Sequence, residues 1–134
     1  MNSREKGKRG ERQAAKAWAK QMGGQARRGE QYSGGGDSPD IVHGYPNIHL
    51  ESKYVEQGNP YTWMQQAVED AGDKVPVVLH RRNRQDWLVI LRLDDVQRFV
   101  LEAFAGPQVP EVGGVQVPAS VPGPGQRSSN GKDG

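Results

Sequence analysis

Asp40, Glu51 and Lys53 are the residues of this 134-residue chain whose types and spacing suit chemistry. They lie in Pro39-Asp40-Ile41-Val42-His43, a turn through Gly44-Tyr45-Pro46-Asn47, and Ile48-His49-Leu50-Glu51-Ser52-Lys53. Two short apolar runs around a Gly/Pro/Asn turn predict a β-hairpin. Alternate side chains of a strand share a face, so His49, Glu51 and Lys53 point one way and Ile48, Leu50 and Ser52 the other. Two carboxylates and an ammonium on one patch of sheet suit a hard cation. Mg²⁺ takes carboxylate oxygens, keeps several waters and shares its remaining positions with substrate phosphates. Lys53 can then orient a water or offset charge growing on a phosphate. Taken alone, Glu-x-Lys also reads as an exposed ion pair on an edge strand, worth well under ~1 kcal/mol. Asp40, across the turn, shifts the balance towards a site.

The elements that must hold these groups follow from periodicity. Ser3 is a candidate N-cap, and the Ala-rich run to Gln21 predicts a first helix ended by Gly23-Gly24. Its apolar stripe is Ala14, Ala15, Trp18 and Met22. Glu11 continues that stripe, where an acid needs a partner or gains from the helix dipole. Gln25 to Gln31 reads as a strand carrying Arg27 and Arg28. Tyr32-Ser33-Gly34-Gly35-Gly36-Asp37-Ser38 reads as a mobile loop whose N–H groups and hydroxyls can close over a phosphate. After a linker from Tyr54 to Asn59, Pro60 starts a second helix that ends near Gly72 and carries Trp63, Ala67 and Ala71 on one face. Pro76 to His80 and Trp87 to Leu91 are continuous apolar runs and predict buried strands. Asp94 or Asp95 caps a last helix with Val96, Phe99, Val100 and Phe104 at helical spacing. The order helix, three strands, helix, two strands, helix predicts a three-layer α/β/α sandwich around a mixed five-stranded sheet. His43 and His49 read as structural or surface residues, since neither has the paired spacing of a zinc site.

Residues 1–105 make one domain. Residues 106–134 carry Pro107, Pro110, Pro118, Pro122 and Pro124 with repeated glycine. They cannot bury enough apolar surface to offset chain entropy and read as a disordered tail.

The order Pro39-Asp40, then Glu51-Ser52-Lys53, with Glu11 in the first helix and Gln66 in the second, resembles the PD-(D/E)xK nuclease superfamily. Within it, the chain is most similar to Holliday junction resolvases of archaeal and phage type. The resemblance covers roughly Arg4 to Phe104. It implies a restriction-endonuclease-like fold and hydrolysis of DNA phosphodiesters supported by Mg²⁺, with Mn²⁺ as a substitute. It implies Asp40, Glu51 and Glu11 as metal ligands, Lys53 beside the attacked phosphate, and Gln66 (Gln65 is the alternative) as a further site residue. A loop serine, Ser33 or Ser38, belongs to the same pattern. It also implies a two-fold homodimer that cuts two strands of a four-way junction symmetrically; Tyr61, Trp63 and Phe99 are interface candidates wherever they prove exposed.

The net charge is only +2, but it is unevenly spread: residues 1–30 hold nine Lys and Arg against three acids. Arg4, Lys6, Lys8, Arg9, Arg12, Arg27 and Arg28, with the turn Arg81, Arg82 and Arg84, are the expected contacts to phosphates of branched or duplex DNA. The chain has no cysteine, which removes disulfides and thiolate metal sites and is compatible with a reducing cytosol. No apolar run approaches the ~20 residues of a membrane span, and the basic N-terminus lacks the apolar segment of a signal peptide. A cytoplasmic protein of a bacterial, archaeal or phage-infected cell, without a membrane partner, is expected. Two readings stay beside the resolvase: a phage or mobile-element nuclease of another specificity, and a nucleic-acid-binding module without catalysis.

Overall fold

The computed structural model describes residues 3–29 and 40–108. Pro39, Ser33, Ser38 and the glycines between those serines lie outside the described residues, as does the chain beyond Gln108. Helix α1 (Ser3–Met22) is carried by its alanines and ends where Gly23 takes a positive φ of 86°, its N–H donating to the Ala19 carbonyl at 2.9 Å. Ala14, Ala15 and Trp18 are buried against Ile48, Leu50, Val75, Val77 and Leu79. Burying each of the larger aliphatic side chains stabilises the fold by about 1.5–3 kcal/mol. Gly10 permits the close approach: a Cβ built there would lie 2.6 Å from the Cβ of Tyr54.

Strand β1 (Ala26–Arg28) pairs antiparallel with β2 (Ile41–His43). Strand β3 (Ile48–Tyr54) pairs parallel with β4 (Val75–Arg81), with Glu51 opposite Val78. Strand β5 (Leu88–Ile90) pairs antiparallel with the outer edge of β4. The parallel pair needs a crossover, and α2 (Pro60–Ala71) supplies it. Asn59 caps α2 by accepting the Tyr61 N–H at 2.9 Å, and Pro60 begins the first turn. Trp63, Met64 and Ala67 pack on Val78, while the alternate residues Val77 and Leu79 face α1. Helices therefore cover both faces of β3–β4, as the α/β/α expectation requires.

The single five-stranded sheet is not formed. Among the described residues the strands make two sheets, β1–β2 and β3–β4–β5. The predicted hairpin lacks its ladder because side chains take the backbone groups that a ladder would use. The His43 Nε2–H donates to the Ile48 carbonyl at 2.9 Å, and Asp40 Oδ2 accepts the Ser52 N–H at 3.1 Å. Since His43 Nδ1 accepts the Tyr45 N–H at 3.0 Å, the imidazole is the neutral Nε2–H tautomer. Tyr45 closes the turn from inside, its hydroxyl donating to the Met22 carbonyl.

The C-terminal part also departs from expectation. β5 is an edge strand rather than a buried one, with Leu88 and Val89 56% and 51% exposed. A short 3₁₀ turn (Leu93–Asp95) leads into α3 (Val96–Ala105). The Asp95 side chain makes no cap; it accepts from Arg92 Nε at 2.7 Å and pairs with Arg98 at 3.8 Å. Of the α3 stripe only Phe99 packs on the core, and Val96, Val100 and Phe104 are exposed.

Candidate active site

The site is built on β3 as it passes β2. Glu51 is 3% exposed, which rules out the reading of Glu51 and Lys53 as a surface ion pair. Lys53 turns instead to α2, where its Nζ donates to Gln66 Oε1 at 3.3 Å. Gln65, its neighbour, is exposed. Asp40 enters from the first residue before β2. Its carboxyl is pushed up to about 7, first by burial, then by the charge of Glu51; the Ser52 N–H works against the shift and Glu11 adds to it. Glu11 comes from α1. Its Oε1 accepts from Arg28 Nε at 2.8 Å, yet burial outweighs that ion pair and, with the charge of Glu51, leaves the Glu11 carboxyl above its usual range. Three carboxyl groups from α1, the start of β2, and β3 thus share one electrostatic site.

Three carboxylates converging on buried ground repel one another unless protons or cations intervene. Arg28 answers one of them. The remaining oxygen donors are of the type that Mg²⁺ and Mn²⁺ take, so the residues fit a hard divalent cation.

The expected basic residues divide into two groups. Arg28 is committed to Glu11. Arg81 is tied to Gln13 Oε1 at 3.1 Å and to the Gln85 carbonyl at 2.6 Å, and lies 5.6 Å from the ring centre of Tyr54. Lys6 covers the same ring at 5.3 Å. Arg9, Arg12, Arg27, Arg82 and Arg84 are exposed and Lys8 half-buried; the Arg4 side chain lies outside the described residues. An open groove of about 720 Å³ between α1 and β1 is lined by Arg12, Lys16, Arg27 and Arg28. Lys16 is the member that the sequence reading left out. Of the suggested interface residues, Tyr61 is 86% exposed, while Trp63 is buried and Phe99 half-buried.

The sequence places His49 among structural or surface residues. It is buried and its Nε2 lies 3.2 Å from Glu51 Oε1. The signal was present in the strand pattern: His49 stands two residues before Glu51, on the same face.

Acids from α1, the start of β2, and β3, with Lys53 on β3, between helices on both faces of β3–β4, are the arrangement expected of a PD-(D/E)xK nuclease. The chain belongs to the family described as phage putative PDDEXK endonuclease, whose model matches residues 2–105. No curated protein and no solved structure matches the chain. No helix among the described residues is long and apolar enough to cross a membrane.

Proposed function

We propose that this chain is a divalent-metal-dependent DNA endonuclease acting on branched DNA, with the four-way junction as its preferred substrate. The observation that carries the nuclease reading is the convergence of Asp40, Glu51 and Glu11, with Lys53 on the same strand as Glu51. The junction preference rests on the resolvase resemblance. Asp40 and Glu51, with Glu11, would hold Mg²⁺ or Mn²⁺, which supplies Lewis-acid stabilisation of phosphate charge and an acidified water. Burial of Glu51 keeps bulk water from its carboxylate. Lys53, two residues beyond Glu51 on β3 and with its ammonium held by Gln66, would orient a water or offset charge on the attacked phosphate. The α1–β1 groove, with Arg12, Lys16 and Arg27, offers a track for the phosphate backbone next to Glu11.

A homodimer suits symmetric cutting, and exposed apolar groups on the β5 edge and on α3 (Leu88, Val89, Leu101, Phe104) support it. Residues 1–105 as the nuclease domain, with the following residues as an appended tail, and a role for Ser33 or Ser38 complete the proposal.

The test is a cleavage assay on a labelled four-way junction and its matching linear duplex in Mg²⁺, with Glu51→Ala and EDTA controls. Paired symmetric cuts in the junction alone, lost in both controls, are expected. Cutting of both substrates would overturn the junction preference and leave a nuclease of another specificity. Binding without cutting in either Mg²⁺ or Mn²⁺ would overturn the catalytic reading.

A further inference from the structure

A second side-chain cluster shares Glu51 and joins β3 to α2 through Asp70. One ligand atom each from His49, Glu51 and Asp70 can be chosen so that all lie within 4.8 Å of one another. His49 and Glu51 are both more than nine-tenths buried, and the nearest atoms of the two are 3.2 Å apart. Bonds of about 2.1 Å from imidazole and carboxylate to a divalent cation put adjacent ligand atoms about 3.0–3.4 Å apart. The His49–Glu51 spacing is therefore that of neighbouring ligands before any ion arrives. Asp70, on α2, is exposed, which leaves an approach from solvent and open positions for water. Lys53, the cation on the same strand face, is turned to Gln66 and does not neutralise Glu51.

We propose that His49, Glu51 and Asp70 form a distinct cation site for a first-row transition metal such as Mn²⁺, Co²⁺ or Zn²⁺. An imidazole nitrogen beside two carboxylates favours such ions over Mg²⁺. The ligating imidazole nitrogen is the unprotonated one. Glu51 links this position to the carboxylates at Asp40, so the new site extends the metal-dependent reading above and rests on it only through that residue.

The experiment uses Mn²⁺ and the full chain. Bound ions are counted by calorimetry, and electron spin-echo modulation reports whether a bound Mn²⁺ carries an imidazole nitrogen. A nitrogen-coupled ion is expected in the unaltered chain, still present in Asp40→Asn. In Asp70→Asn, a change at an exposed position, its affinity is expected to fall at least about tenfold; in His49→Gln the nitrogen coupling should vanish. No nitrogen-coupled ion, or unchanged affinity in Asp70→Asn, would overturn the proposal. So would loss of that ion in Asp40→Asn, because the carboxylates would then form one site. Failure of the nuclease reading looks different: it is an Asp40→Asn chain that still cuts DNA, whatever its spectrum.

Discussion

Asp40 Oδ2 accepts the backbone N–H of Ser52 at 3.1 Å, so a carboxylate of the candidate metal site also ties the two-stranded sheet to β3. Structure and chemistry are coupled through one side chain, and substitutions can separate them. Asparagine keeps an oxygen for the Ser52 N–H and removes the charge. Alanine removes both.

Asp40→Asn should leave thermal stability above pH 7 equal to or higher than that of the parent, since a carboxylate held near Glu51 is gone, while cleavage is lost. Asp40→Ala should lose cleavage and also about 1–3 kcal/mol of stability, the cost of an unpaired N–H at a partly buried position. Denaturant unfolding of the two variants at pH 7.5 makes the comparison. Equal stabilities would mean that the Ser52 contact contributes nothing.

Glu51→Gln should reduce cleavage by more than the about 10–100-fold that outer residues of a metal site typically cost. Binding to DNA should persist, because it comes from phosphate contacts. The same change should move the Asp40 titration down from about 7 towards its ordinary range, because the Glu51 charge is the second contributor to that shift. Carboxyl chemical shifts followed against pH would show it. An unmoved Asp40 would place the cause in burial alone.

His43 has its pKa lowered from 6.5 to about 4, chiefly by burial. Below 6.5 the unfolded chain takes up a proton that the folded chain refuses. The stability contributed by neutral His43 is thus complete above pH 6.5 and is lost as pH falls towards 4. Asp40 acts in the opposite sense: its raised pKa favours the folded state at low pH, and that contribution is lost as pH rises from 3.8 to about 7. His43→Leu should therefore lose less stability than the parent between pH 6.5 and 4. Urea midpoints across that range test this, and parallel curves would show that His43 does not set the slope.

Gly10→Ala sets helix propensity against packing. Alanine gains about 1 kcal/mol in a helix interior. Here the new methyl meets the Tyr54 Cβ at 2.6 Å, and overpacking of this kind costs about 1–3 kcal/mol. A net fall in the unfolding midpoint of several degrees is expected, with a loss of cleavage as α1 carries Glu11 outwards. A higher midpoint would show that α1 can shift without cost.

Arg12, Lys16 and Arg27 line the groove beside the site. Replacing all three with glutamine should weaken DNA binding across sequences and make the salt dependence shallower by about 0.9 per lost phosphate contact. Fluorescence anisotropy at several salt concentrations measures the slope. An unchanged slope would move the DNA track to another face.

The parts of the fold most legible in the sequence were those with a local physical cause. Gly23-Gly24, Pro60 and the apolar face of α2 announced helix ends and burial without reference to the rest of the chain. The α/β/α layering followed from the order of elements. The joined sheet did not form, because whether Ile48 and Ser52 offer their backbone groups to a strand or to His43 and Asp40 is decided in three dimensions. β5 looked buried because its apolar run carries no mark of its place at the edge. Among the candidate site residues, Asp40, Glu51 and Lys53 stood out by residue type and spacing, whereas Gln66 entered only through the family resemblance, with Gln65 as its alternative. Arg28 was read as a phosphate contact, because its pairing with Glu11 depends on how α1 crosses β1.

The parallel pairing of β3 with β4 has a consequence for synthesis. Glu11, Asp40, Glu51, Lys53 and Gln66 all precede Val75, yet β3 is held along its length, from Ile48 opposite Val75 to Tyr54 opposite Arg81, by a strand that comes later. A nascent chain that has emerged as far as α2 carries these polar side chains without the strand that holds β3 in register. The cell that translates it meets the candidate site assembled only after the ribosome has passed Arg81, when the strand bearing Glu51 finally has its neighbour.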